Sequence, residues 1–506
     1  MSISLLLEMA ASPNPDRTAV VSGEMRLTTN ELSALADGGA GVIAATGAQH
    51  AAYVGTGGAM LPLLLFSSAR AGVAFTPLNY RLSEDGLRQL IDRLPTPLVI
   101  ADAEYHDVVA GAGKQVITSD EFIAAARTAE PAAEFADPDD VAVVLFTSGT
   151  TSRPKAVELT HNNLTSYITG TVEFDSAVAG DAALICVPPY HIAGVSAALS
   201  NLYAGRKMVY LPQFDAAKWV GLVRDEGVTS ATVVPTMLDR IVSVLEAEPV
   251  ELPTLRNLAY GGSKVALPLV RRALGLLPDV GFVNAYGLTE TSSTIAVLTP
   301  DDHRTALASS DDAVARRLGS VGQPVPSIEV QIRGADGTVL DPGQSGELFV
   351  RGEQVSGRYT DIGSVLDAEG WFPTKDVAML DQDGYLFIGG RSDDTIIRGG
   401  ENIAPAEIED VLVEHPSVRD CVVVGPEDPQ WGQIIVAVVV PAEGTAPEPD
   451  ELREHVRAHL RGSRTPDWVV FRDELPTNAT GKVLRRELVD ELRRGREEHE
   501  VFRSRT

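Results

Sequence analysis

Residues 140–161 read DVAVVLFTSGTTSRPKAVELTH. An apolar strand, residues 141–146, runs into Thr147, Ser148, Gly149, Thr150 and Thr151, and Lys155 follows. Small hydroxyl residues around a glycine let the backbone close on phosphate oxygens with N–H and O–H donors pointing inward, and the lysine adds a cation. The stretch is not a Walker A loop, because no Gly-Lys-Ser/Thr follows at the required spacing. Taken alone it also suits a Ser/Thr/Gly surface turn.

Outward from this stretch, apolar strand-like runs alternate with helix-like ones. HAAYVG, GVAFTPL, PLVIAD, AALICV, RKMVYL and SATVVP are separated by segments such as LPLLLFSSARA, EDGLRQLIDRL and AAKWVGLVRDEG. Such alternation implies α/β layers. After about residue 320, SIEVQIRGADGTVL and GELFVRG read as strands joined by turns, a smaller β-rich subdomain. Beyond Asp393 comes an α+β segment: a helix from near Pro405, strands VRDCVVVG and QIIVAVVV, and a second helix in PEPDELREHVRAHL. The final VLRRELVDELRRGREEHEVFRSRT reads as a highly charged, solvated helix.

A chain of 506 residues exceeds one hydrophobic core, so two or more domains are expected. Its 44% hydrophobic and 22% charged content is ordinarily globular. The net charge of -28 repels nucleic acid and anionic membranes, so a site for anionic ligands must hold its own cations. Two cysteines make no disulfide framework, the N-terminus lacks the basic region of a signal peptide, and no apolar run reaches membrane-spanning length. A reducing, cytoplasmic location is expected.

Three further motifs carry chemistry. In VNAYGLTETSS, residues 283–293, Tyr286 offers an aromatic face for a base, Thr289 a hydroxyl for a phosphate, and Glu290 a hard oxygen for Mg²⁺. Upstream, Gly261 and Gly262 lie between Tyr260 and Ser263, where a backbone can rest against a flat ring. In GWFPTKDVAMLDQDGYLFIGGRSDD, residues 370–394, Asp376 can accept both ribose hydroxyls and Arg391 can donate to the sugar or a phosphate. In LPTNATGKVLRREL, residues 475–488, Lys482 projects from a turn opened by Gly481. Each of these three also has a bland reading: a capping Glu290, a turn aspartate with a surface arginine, a solvent lysine.

Taken together and in order, TSGTT-x-x-PK, YGLTE, GEL-x-V-x-G, GR-x-DD-x-I and TGK resemble the adenylate-forming superfamily of acyl-CoA synthetases, over nearly the whole chain. The resemblance implies a large N-terminal domain, residues 1–392, and a small mobile C-terminal domain, residues 393–506, with the active site between them. It implies that a carboxylic acid attacks Mg-ATP to give acyl-AMP, and that CoA, or the thiol of an acyl carrier protein, then takes the acyl group; the alternative is a nucleotide-binding protein with impaired catalysis. It assigns Thr147, Ser148, Gly149, Thr150, Thr151 and Lys155 to the phosphates. Gly261, Gly262, Ser263, Tyr286 and Gly287 go to the adenine side, and Asp376 and Arg391 to the ribose. Thr289 goes to the α-phosphate, Glu290 to Mg²⁺ and Lys482 to the adenylating step. Asp393 becomes the hinge, and Arg398, Gly399 and Gly400 face the CoA channel after rotation. His191, in VPPYHIAGV, gates an acyl pocket walled by Val234, Gly262 and Gly287. No acid adjoins His191 to pair an α-ammonium, which favours a plain acid, fatty ahead of aryl.

Departures from the family pattern are Ser152, Ala156 and Lys375, each where glycine is usual. A lysine tolerates a glycine-type dihedral poorly, and Lys375 is placed to pair with Asp376 and compete with ribose. Residues 53–58, YVGTGG, begin like a dinucleotide fingerprint, but Met60 stands where the third glycine belongs. Arg485, Arg486, Arg493, Arg494 and Arg496 alternate with glutamates and read as a solvated helix face.

Overall fold

The apolar runs on either side of the Thr147 stretch become two large sheets. A computed structural model describes residues 1–111, 115–132, 136–147, 154–478 and 482–498. In the eight-stranded sheet, Val141–Thr147 lies between Ala74–Leu78 and its antiparallel hairpin partner Lys155–Thr160. Beyond Ala74–Leu78 come His50–Val54, Pro97–Ala101 and Gln115–Thr118, all parallel. His50–Val54 and Pro97–Ala101 are buried at every position, which is why both read as unbroken apolar runs rather than alternating ones. The nine-stranded sheet carries Gly281–Leu288 and Asn257–Gly261 side by side and parallel, so the YGLTE and Gly-Gly segments emerge from neighbouring strand ends.

The expected β-rich subdomain is a four-stranded antiparallel sheet in the order Glu329–Arg333, Ser345–Arg351, Phe372–Leu380, Leu386–Arg391. Its register sets Asp376 directly opposite Arg391. The C-terminal segment packs Val418–Val424, Val436–Pro441 and Trp468–Phe471 into a three-stranded sheet. The helices Pro405–Leu412 and Pro449–His459 fill one face of it through Ile408, Leu412, Leu452 and Val456.

The final helix, Arg485–Glu498, differs from the expected solvated one. Leu488 and Leu492, four residues apart, are buried against Val422, Val436 and Val438 on the other face of that sheet. Arg485 is not on a solvated face either. It pairs with Glu409 at 2.7 Å and Asp394 at 3.5 Å and donates to the Val423 carbonyl at 2.5 Å. An Arg/Glu-rich run hides such an apolar stripe because two leucines carry it. Both cysteines are free and buried, and among the described residues no helix is long and apolar enough to cross a membrane.

Candidate active site

The Tyr286, Asp376 and Arg391 side chains meet. The Tyr286 hydroxyl donates to Asp376 Oδ2 at 2.5 Å, and Arg391 Nη1 lies 3.3 Å from Asp376 Oδ1. The Asp376 backbone N–H is held by Thr374 Oγ1 at 3.1 Å. Asp376 is 5% exposed. Burial raises its carboxyl pKa against the opposing pull of Arg391, the Tyr286 hydroxyl and the Lys482 ammonium. That last influence places Lys482 within electrostatic reach of the aspartate, although the lysine is exposed and its backbone N–H is anchored only locally, to Asn478 Oδ1 at 2.9 Å. Burial and the neighbouring carboxylate raise the Tyr286 pKa, so the phenol stays a donor.

The glycines are there for close approach. A Cβ on Gly261 would lie 2.1 Å from the Ala285 carbonyl, and one on Gly287 would lie 1.8 Å from that of Ser293. Gly262 has φ +83°, and the nearest atom to a Cβ there would be Val234 Cγ1 at 3.7 Å, so the two residues are neighbours. Ser263 is half-buried beside them.

Thr289 and Glu290 open a single 3₁₀ turn, Thr289–Thr291. Behind it Ser292 and Ser293 both adopt positive φ, +58° and +123°, a costly arrangement for non-glycine residues. Gln354 enforces it: its side-chain amide donates to the Thr291 and Thr294 carbonyls at 3.0 Å each, while Ser292 Oγ donates to the Gln354 carbonyl at 2.8 Å. Tyr359 donates to Glu290 Oε1 at 2.8 Å, and Lys155 Nζ stands 5.5 Å from the Tyr359 ring centroid. Thr147 is the register partner of Lys155. Ser148, Gly149, Thr150, Thr151 and Ser152 lie outside the described residues, as does Gly481. Ala156 is buried in the strand, its carbonyl accepting from the Thr360 N–H. Glu290 presents one carboxylate, which suits Mg²⁺, an ion that keeps waters and phosphate oxygens as its remaining ligands. Tyr359 and Gln354 escaped sequence reasoning: their partners are distant in the chain, and neither sits in a marked motif.

His191 precedes the helix Ile192–Tyr203. Its Nε2 and the Tyr190 hydroxyl are buried with no hydrogen-bond partner among the described residues. Burial, with the Arg81 charge nearby, holds the His191 pKa down to about 4, so the imidazole is neutral. A chain of aromatic rings runs from it, with centroids 4.7 Å apart for His191 and Tyr190, 5.7 Å for Tyr190 and Tyr80, and 5.4 Å for Tyr80 and Tyr105.

Lys375 adopts φ +65°, the glycine-type conformation anticipated for it. The expected pairing with Asp376 does not form. Lys375 Nζ turns to Glu347 Oε1 at 3.5 Å, while Arg391 occupies the aspartate. The inverted backbone at Lys375 and the alternation of side chains along the strand separate the two. Asp393 is exposed in the short turn Ser392–Asp394. Gly399 and Gly400 have φ +59° and +85°. Arg398 is engaged within the C-terminal segment, paired with Asp467 at 2.6 Å and lying 4.6 Å over Trp431. Lys264, just past Ser263, reaches Asp410 on Pro405–Leu412 at 2.5 Å.

A family model described as AMP-binding enzyme matches residues 7–360, and one described as AMP-binding enzyme C-terminal domain matches residues 407–482. A feruloyl-CoA synthase of Amycolatopsis is 36% identical, over 94% of this chain and 96% of its own. A fatty acid–[acyl-carrier-protein] ligase of Streptomyces coeruleorubidus is 32% identical, over 95% and 94%. The o-succinylbenzoate CoA synthetase of Bacillus subtilis, solved with its acyl-adenylate intermediate, is 30% identical and superposes with a TM-score of 0.83 over 96% and 97% of the two chains. A second structure of it, with ATP and magnesium ion, gives 0.82 at 28% identity over 96% and 98%. The order of motifs, the two-part fold and these likenesses agree: the chain belongs to the AMP-binding enzymes, in the adenylate-forming superfamily of acyl-CoA synthetases.

Proposed function

We propose that this enzyme activates an aryl carboxylic acid with Mg-ATP and transfers the acyl group to CoA. The observation that carries this reading is the meeting of Tyr286, Asp376 and Arg391, with the Lys482 charge acting on Asp376. Asp376 and Arg391 hold the ribose, Gly261, Gly262, Ser263, Tyr286 and Gly287 face adenine, and Lys155 with Thr147 and residues 148–151 meets the β- and γ-phosphates. A substrate carboxylate oxygen attacks the α-phosphorus, the bond to the β-phosphate oxygen breaks, and pyrophosphate leaves. Lys482 and Thr289 stabilise the charge that gathers on the α-phosphoryl oxygens, a preorganised contact worth about 3–4 kcal/mol. Glu290 would hold Mg²⁺, which would supply neutralisation of phosphate charge. Residues 393–506 then rotate about Asp393 relative to residues 1–392. Lys482 withdraws, and the loop of Arg398, Gly399 and Gly400 faces the thiol channel. The thiolate attacks the acyl carbonyl and AMP leaves.

An aryl acid, rather than the fatty acid favoured from sequence, is supported by the Tyr80, Tyr105, Tyr190 and His191 cluster. Flat rings pack against flat rings, the imidazole is neutral, and the cluster's charge is the Arg81 guanidinium 5.7 Å over the Tyr80 ring. The named acids of two relatives, ferulate and o-succinylbenzoate, point the same way. Loading of an acyl carrier protein is the second reading, favoured by the Streptomyces ligase.

The test is incubation with Mg-ATP, a panel of aryl and aliphatic acids and CoA, with pyrophosphate, acyl-AMP and acyl-CoA followed by mass spectrometry. Aryl-CoA from wild type, lost with Lys482→Ala, is the expected result. Acyl-AMP without acyl-CoA, followed by transfer to a carrier protein, replaces CoA with the second reading. Aliphatic thioesters alone overturn the aryl assignment, and no pyrophosphate from any acid overturns the activity.

A further inference from the structure

Arg93 follows the helix Glu84–Ile91 and belongs to none of the sequence motifs, yet its side chain is only 12% exposed and is committed in three directions. The guanidinium lies 4.8 Å over the Phe146 ring, donates through Nη1 to the Pro154 carbonyl at 2.8 Å, and pairs through Nη2 with Asp361 Oδ2 at 2.5 Å. Phe146 immediately precedes Thr147, and Pro154 immediately precedes Lys155. Asp361 lies two residues past Tyr359, in the turn between Arg358–Tyr359 and Gly363–Ser364. That hairpin is itself pinned to the Lys155 strand, Tyr359 opposite Val157 and the Thr360 N–H on the Ala156 carbonyl. Tyr359 in turn holds Glu290 and carries Lys155 over its ring.

We infer that Arg93 is a positioning residue for the polyphosphate end of the site: it sets the spacing between the Lys155 cation and the Glu290 carboxylate through Asp361 and Tyr359. This rests on the proposed assignment of Lys155 and Glu290 to Mg-ATP. A planar, permanently charged fork meets a ring face, a carbonyl and a carboxylate at once, which an ammonium cannot reproduce. Lys155 would attract a phosphate and Glu290 a cation from any position, but a phosphate and a cation bound together would need both at one separation. The contacts of Arg93 go to Phe146, Pro154 and Asp361, and among the described residues none goes to Tyr286, Asp376 or Arg391.

The test compares wild type, Arg93→Ala, Arg93→Lys and Asp361→Asn by calorimetric titration with Mg-ATP, ATP in EDTA, and AMP, alongside thermal unfolding of the free proteins. Arg93→Ala is expected to weaken Mg-ATP binding about tenfold, the scale of one charge-assisted contact, and to leave AMP binding unchanged. Arg93→Lys and Asp361→Asn are expected to show the same selective loss at smaller size, and the advantage of Mg-ATP over ATP in EDTA shrinks in step. Equal weakening of Mg-ATP and AMP, or no weakening of either, overturns the inference. If Arg93→Ala fails to fold, Asp361→Asn decides by the same criteria. A wild type that binds neither Mg-ATP nor AMP overturns the proposed function itself, and the inference with it.

Discussion

Asp376 and Lys482 approach the same site from opposite kinds of support. Asp376 sits mid-strand, buried, with Tyr286, Arg391 and Thr374 Oγ1 all fixing it before any ligand arrives. Lys482 is exposed on a turn, and the described anchor of its backbone is Asn478, four residues away. Under the proposed function, the N-terminal side is a preorganised receptor and the C-terminal side delivers a charge. On that reading, ground-state recognition falls to the first and stabilisation of the transition state to the second.

The sharpest way to break this comparison is Lys482→Ala. Adenylation should fall about 10²–10³-fold with ATP binding unchanged, measured by pyrophosphate release and calorimetry. If binding falls as far as the rate, the lysine is part of the receptor after all. Next in size is Arg485→Gln, which leaves Glu409 without its charge partner between the final helix and Pro405–Leu412. We expect a loss of about 2 kcal/mol, discounted from a fully buried pair because a quarter of the side chain is exposed, and confined to the C-terminal segment in hydrogen exchange. Global destabilisation would show that the two sides do not unfold separately.

Asp376→Asn should weaken ATP binding about tenfold by removing a charged acceptor. Its pH dependence carries a sign. The folded Asp376 pKa is raised, so its contribution to stability is present below the ordinary aspartate value of about 3.9 and is lost as pH rises through the raised value. Ribose binding needs the ionised form and runs the other way: the advantage of wild type over the Asn variant should shrink as pH falls through a window lying above about 3.9. A ratio flat with pH would remove the burial argument. The smallest effect is Lys375→Gly. Relief of a left-handed lysine is worth about 1 kcal/mol, read as a raised unfolding midpoint, with ATP affinity unchanged because Glu347, not Asp376, is the partner lost.

The same contrast marks what was legible in the sequence. Strands buried on both faces announced themselves as unbroken apolar runs, and Asp376 and Arg391 stood within one motif because one hairpin pairs them. The positive φ at Lys375 was also readable, because the resemblance puts a glycine at that position. Tyr359, Gln354 and Arg93 were not, since each acts on residues far along the chain and no local pattern distinguishes a tyrosine that holds Glu290 from one that merely packs. Arg485 misled for a related reason: its neighbours have the composition of a solvated helix, and only the sheet beneath Leu488 and Leu492 shows which side is inward.

The contact between Lys264 and Asp410 has a consequence for timing. Both side chains are about half exposed, 47% and 59%, so the pair is a catch rather than a bolt. It is worth about 1 kcal/mol or less, and added salt loosens it. Under the proposed two-step reaction, ionic strength therefore becomes a dial on how long Lys482 dwells at its station: dilute buffer lengthens the stay and favours the first half of the cycle, and brine hastens the handover to the second.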